Sequence, residues 1–137
     1  MLILIGTDDA LLEGLAQLLA GAGHKVHVVH TLDEAEEIEQ GALPLLVVVD
    51  RQSVVADAGE RLARLALAPG GAFVLYRTSS DHSAHTPLSH GLARLTLADL
   101  ALPLERQRLA ALAQYVKTRA RESGRLRFDT PPERRAP

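Results

Sequence analysis

The sequence predicts an α/β domain: a doubly wound, five-stranded parallel sheet with helices on both faces and a weak or irregular fourth helix. Short unbroken apolar runs recur along the chain, as expected of strands covered on both sides. They alternate with segments carrying apolar residues at helical spacing, and that alternation implies parallel strands joined by crossover helices. The 137 residues suit one domain, and an apolar content of 47% is enough to build its core.

The elements follow in order. Leu2–Ile5 is a buried strand. Ala10–Ala22 is a helix with Leu11, Leu12, Leu15, Leu18 and Leu19 on one side, punctuated by Gly21 and Gly23. Val26–Val29 is a second strand. Thr31 and Glu34 form a capping-box pattern opening a helix that runs to about Gly41 and buries Leu32, Ala35 and Ile38. Leu43–Val49 is the strongest strand, with Pro44 at its entry, where no ladder donor is needed. Asp57–Leu67 is a helix, Pro69-Gly70-Gly71 a turn, and Ala72–Tyr76 a fourth strand. Ser79–Gly91 is polar and broken by Pro87, a loop or short irregular helix. The fifth strand is either Arg94–Leu97 or Asp99–Leu102. Leu104–Arg121 is an amphipathic helix with Leu109, Leu112, Ala113 and Val116 on its apolar face. The domain is thus expected over residues 1–121. Residues 122–137, basic and proline-rich without an apolar face, are expected to be a disordered tail or linker.

Composition narrows the chemistry. There is no cysteine, which excludes disulfides, thiolate catalysis and cysteine-based zinc sites. No apolar run is long enough to span a membrane. The apolar start lacks a basic leader and passes straight into Gly6-Thr7-Asp8-Asp9, so a strand and a cytoplasmic location are expected. The net charge of −2 hides an asymmetry. Residues 1–60 carry eleven acids against two bases, and residues 61–137 carry thirteen bases against six acids. Such a balance suits a solvated surface with a basic tail, or an acidic pocket beside a basic partner-facing surface.

In an open parallel sheet, functional groups collect beyond the carboxyl ends of the strands. Here the first strand ends at Asp8 and Asp9, and the third at Asp50. If those strands are neighbours, three carboxylates share one pocket. Two like charges 4 Å apart repel by about 4 kcal/mol at a protein-like dielectric, a cost that Mg²⁺ would remove. A carboxylate beside Mg²⁺ can attack phosphorus to give an aspartyl phosphate. The simpler readings are that Asp8 and Asp9 cap the first helix and Asp50 is an ordinary loop acid.

Together, in this order, these pieces resemble the receiver domains of bacterial two-component response regulators, a flavodoxin-like fold, over roughly residues 1–120. Ile3–Asp9 resembles the first strand and acidic pair, Leu46–Asp50 the third strand and its phosphorylated aspartate, and Leu102-Pro103 the Lys-Pro that ends strand five. Asp57 stands where the family often has an Asp-Gly turn. The resemblance implies Asp50 as phosphoacceptor. It implies Mg²⁺ held by Asp8, Asp9, Asp50 and the backbone carbonyl of Gln52. A Thr or Ser at the end of strand four would bind the phosphoryl group; ungapped counting places Arg77 there, and a one-residue slip places Thr78. Ungapped counting likewise places Thr7 and Asp8 on the acidic pair, and a one-residue bulge places Asp8 and Asp9.

The main departure is Leu102 in place of the lysine, which removes a charge-assisted contact to the phosphoryl group. The Met-Pro-Gly stretch common after the phosphoacceptor is also absent; here the chain reads Arg51-Gln52-Ser53-Val54-Val55. These departures point to an atypical or pseudo-receiver. It would not be an enzyme beyond accepting a phosphoryl group. Its expected partners are a sensor histidine kinase or another signalling protein, and a second copy through the face running from strand four to helix five.

The alternative is a small cofactor- or nucleotide-binding α/β enzyme. Gly6-Thr7-Asp8-Asp9-Ala10 counts against it, with one glycine and two acids where a phosphate-cradling loop needs glycines. The arginine-rich tail has no helix-turn-helix or aromatic platform, so nucleic-acid recognition is not expected. The groups His24, His27, His30 and His82, His85, His90 lack the spacing of metal ligands.

Overall fold

The computed structural model describes residues 1–53, 56–78 and 90–135. Strands β1 (Leu2–Ile5), β2 (Val26–Val29), β3 (Leu46–Asp50), β4 (Ala72–Arg77) and β5 (Thr96–Ala101) form one parallel sheet in the order β2-β1-β3-β4-β5. The described helices are α1 (Asp9–Gly21), α2 (Leu32–Gly41), α3 (Ala56–Ala63), α4 (His90–Leu95) and α5 (Arg106–Arg135), with a 3₁₀ turn at Arg51–Ser53. This is the α/β class that the alternation predicts.

Successive strand residues point to opposite faces, so the sheet builds two cores. Leu2, Leu4, Leu46, Val48, Ala72, Val74 and Tyr76 face α1 and α5, meeting Leu12, Leu15, Leu19, Leu109, Ala113 and Val116. Ile3, Ile5, Val47, Val49, Phe73 and Leu75 face the other way, toward Ala35, Leu62, Leu65 and Leu92. The three central strands are almost entirely buried, which accounts for their continuous apolar runs.

Local signals set the helix ends. Asp8 is the N-cap of α1, and its carboxylate accepts from the Leu11 N–H at 3.1 Å. The helix closes with Gly23 at φ 94°, where the Gly23 and His24 N–H groups donate to the Ala20 and Leu19 carbonyls. That paired pattern requires a left-handed residue, and glycine takes it without a Cβ penalty. Thr31 caps α2 by accepting from the Glu34 N–H at 3.2 Å. The Glu34 carboxylate completes the box one residue early, accepting from the His30 N–H at 3.3 Å.

Several boundaries differ from expectation, for identifiable reasons. β3 starts at Leu46 instead of Leu43. Pro44 has no N–H, and Leu45 makes the lead-in bonds, donating to the Met1 carbonyl at 2.8 Å and accepting from the Ala72 N–H at 3.0 Å. α3 ends at Ala63 instead of Leu67. Its last turn tightens to a Leu65 N–H bond on the Leu62 carbonyl, and the Ala68 N–H is drawn to the Pro44 carbonyl at 2.8 Å. β5 (Thr96–Ala101) joins the end of the first candidate segment to most of the second. A register shift opposite Phe73 and Val74 lets Thr96 and Ala98 both pair with β4. The short α4 matches the weak fourth helix, while residues 79–89, with His82 and His85, lie outside the described residues.

α5 runs to Arg135, past the Arg121 expected for its end. Its buried stripe among the described side chains is Leu109, Ala113 and Val116. Beyond it, the chain through 128 is rich in helix-compatible Ala, Arg, Leu and Glu. Once a packed helix is nucleated, each added residue gains a backbone hydrogen bond. Among the described residues, no helix is long and apolar enough to cross a membrane.

His24 leads into β2 and is buried, with no hydrogen-bond partner for Nε2 among the described residues. Burial, then Lys117 and the chain's amino group, push its pKa below the ordinary 6.5. The folded chain therefore resists a proton that the unfolded chain accepts. Its contribution to stability is complete above about pH 6.5 and falls as the pH drops below that value. Urea denaturation of wild type across this range should show that loss, and His24→Leu should flatten it. Parallel pH profiles for the two proteins would refute the role of His24.

Candidate functional site

The pairing registers build the site at the carboxyl edge of the sheet. Ile5 of β1 pairs with Val49 of β3, so Gly6 stands level with Asp50. Asp50 pairs with Tyr76 of β4, and Tyr76 with Leu100 of β5. By strand alternation, Gly6, Asp50, Tyr76 and Leu100 form one row on the α1/α5 face.

Asp50 ends β3 with only 8% of its surface exposed. Its Oδ1 accepts from the Gln52 N–H at 3.0 Å, an Asx-type turn that ties the carboxylate to the start of the Arg51–Ser53 turn. The bond uses the backbone N–H of Gln52; the resemblance had assigned the carbonyl of that residue to a metal.

The two acids after β1 have other partners. Asp8 is exposed and caps α1, as the simpler reading holds. Asp9 lies in the first turn of α1 and pairs with His30 Nε2, at the end of β2. No group of three acidic, histidine or cysteine side chains among the described residues is placed to hold a metal ion. The β1 residue level with Asp50 is Gly6, which brings no ligand. This donor set does not fit the Mg²⁺ that the resemblance implies.

Tyr76 fills the space instead. Its ring is fully buried, and its hydroxyl has no hydrogen-bond partner among the described residues. A Cβ added at Gly6 would lie 2.2 Å from the Tyr76 Oη, so any residue larger than glycine collides with the phenol. Burial raises the phenol pKa far above its usual value, and the nearby charges of Asp50 and Asp8 raise it further. The hydroxyl therefore stays protonated and neutral.

A charged cluster occupies the other pleat. Asp99 of β5 pairs with Leu75, one position from the Tyr76 row, and so faces away from Asp50. It forms an ion pair with Arg51, whose side chain is 9% exposed, and its other oxygen lies 3.8 Å from Arg77 Nη1. Arg77 is thus directed at Asp99. Thr78 follows β4 and lines a cleft of about 610 Å³ together with Asp8, Leu102 and Pro103. Leu102 is buried at 2% and belongs to the α1/α5 core, and its N–H donates to the Arg77 carbonyl at 2.9 Å. The Leu102–Pro103 peptide bond is cis.

Sequence reasoning located Asp50 at the strand end but missed Gly6, Tyr76, Arg51 and Asp99 as its surroundings. A glycine directly after a strand and a lone acid among the apolar residues of β5 were the available signals. Neither is informative without the register.

Two outcomes follow from this packing. Gly6→Ala should cost about 2 kcal/mol through overpacking against the phenol. In a Tyr76→Phe background, which itself should be neutral or stabilising by up to about 1 kcal/mol, the cost should nearly vanish. A double-mutant cycle by chemical denaturation reads this coupling, and equal costs in both backgrounds would refute the contact. Asp99→Asn removes the Asp99 charge from the buried Arg51 guanidinium. Because Asp99 is about one-third exposed, the loss should be about 2 kcal/mol, below the range for a fully buried pair. An unchanged denaturation midpoint would show that the pair holds nothing.

No family model matches the sequence, and no curated protein does either. Solved structures do match. The CheY-like response regulator receiver domain of Methanospirillum hungatei superposes with a TM-score of 0.66 at 17% identity, over 88% of this chain and 96% of that one. A putative response regulator from Chloroflexus aurantiacus gives 0.63 at 22% identity, over 84% of this chain and 94% of that one. NtrX of Brucella abortus, solved with ADP, gives 0.70 at 18% identity over 92% of this chain, which spans only 28% of NtrX. The receiver domain of that protein also matches by itself, at 0.65. This chain therefore has the fold of response-regulator receiver domains, with Asp50 at the end of the middle strand of the sheet.

Proposed function

We propose that this chain is an atypical receiver module of two-component signal transduction, working in the cytoplasm by protein–protein contact. The observation that carries the reading is the position of Asp50, at the carboxyl end of the central strand of a β2-β1-β3-β4-β5 parallel sheet. The capped start of α1 weighs against a nucleotide-binding enzyme, because Asp8 puts a negative charge where such a fold places a phosphate.

The face from β4 to α5 supports self-association. β5 is an edge strand, and Leu95 and Leu97 are exposed beside it. Tyr115 of α5 is 53% exposed, with Arg119 stacked 5.3 Å from its ring centre. Apolar and aromatic groups of this kind are common at interface cores. A sensor histidine kinase or another signalling protein is the other partner class. In this reading residues 1–121 are the contact module. Leu102 supplies no charge for a phosphoryl group, and Arg77 is turned to Asp99, so phosphorylation of Asp50 is secondary to constitutive contact.

Sedimentation equilibrium of the full chain should show a dimer that weakens with Leu97→Asp and is unchanged by Asp50→Asn. A chain that remains monomeric would overturn self-association through this face. One phosphoryl group taken from acetyl phosphate with Mg²⁺, seen in the intact mass and lost in Asp50→Asn, would overturn the constitutive form.

A further inference from the structure

We infer that the Asp50 corner works without a divalent cation: the Tyr76 phenol, seated over Gly6, occupies the ligand side of the pocket, and Asp50 serves as a fixed cap for the Arg51–Ser53 turn. This rests on the receiver reading above. A metal titration separates the two, because it involves no partner protein.

Three independent features converge. The first is the space beside Asp50. On the β1 side stands Gly6, and the 2.2 Å approach of Tyr76 Oη to a Cβ there means that no carboxylate can enter while the tyrosine is present. Glycine at 6 and tyrosine at 76 are matched, one lacking the volume that the other takes. The second is the use of the remaining acids. The Asp8 carboxylate holds the Leu11 N–H and Asp9 holds His30, so one oxygen of each is already committed away from Asp50. The third is the Asp50 carboxylate itself, which accepts from the Gln52 N–H at 3.0 Å and so organises its own turn.

A hard cation such as Mg²⁺ needs several oxygens at near-octahedral positions. An apolar ring with a neutral hydroxyl supplies at most one. Arg51 and Arg77 are both engaged by Asp99 on the opposite pleat. Asp50 is therefore expected to hold its turn in a single arrangement, and the contact surface it supports would be permanently formed.

The experiment uses the full chain and Mn²⁺ as a paramagnetic probe, read by amide NMR. Wild type should show no saturable broadening centred on Gly6, Asp50 and Gln52, and its spectrum should respond to Mn²⁺ as that of Asp50→Asn does. Thermal melts at constant ionic strength should be the same with and without MgCl₂. Saturable broadening at Gly6 and Gln52 that disappears in Asp50→Asn, or an Mg²⁺-dependent rise in melting temperature that Asp50→Asn abolishes, would overturn the inference. The double variant Gly6→Asp with Tyr76→Val restores both an acid and the space for it. It should gain Mn²⁺ broadening at Gln52 if the phenol is what excludes the cation. A folded double variant that stays blind to Mn²⁺ would overturn that role for Tyr76. The wild-type titration decides the metal question whether or not the double variant folds.

Discussion

Burial of β3 on both faces is the constraint from which the other features follow. Leu46 and Val48 enter one core, Val47 and Val49 the other, and each is within 2% of full burial. A strand so enclosed cannot slip by one residue without exchanging the contents of two cores. Asp50 is the first polar residue after that run, so its place at the sheet edge is set by apolar packing four residues deep. The same pairing aligns Gly6 on one side of it and Tyr76 on the other.

The pleat then sorts the polar groups into two environments. On the α1/α5 side, Asp50 shares its row with a glycine and a buried phenol, and its carboxylate turns to a backbone N–H. On the opposite side, Asp99 gathers Arg51 and Arg77. Arg51 directly follows Asp50 in the chain yet pairs across the sheet with β5. Two adjacent residues of opposite charge thus serve different partners. Leu102 is held in the core by the same contacts that bury Leu109 and Val116.

A receiver fold and receiver chemistry are separable here. The fold needs the apolar alternation, the helix caps and the crossovers, and all are present. Around Asp50, the row holds Gly6 and Tyr76, and Leu102 lies in the core below it. These groups are small or largely apolar, so both cores stay intact around them.

Much of this was legible in the sequence because it is written locally. The period-two and helical spacings, Thr31 and Glu34 at α2, and Gly23 after α1 act over a few residues and name their elements unaided. The run Leu46–Val49 was sufficient to put Asp50 at a strand end. Tertiary structure decided what depends on contacts distant in sequence. Asp8 had two readings until its bond to the Leu11 N–H was seen, and β5 had two locations until a register shift against β4 merged them. The proximity of residue 6 to residue 76, and of residue 51 to residue 99, exists only once three strands are in register. No local pattern encodes a distance across a sheet, so the sequence alone determined the fold and the place of Asp50, while the packed strands determined its neighbours.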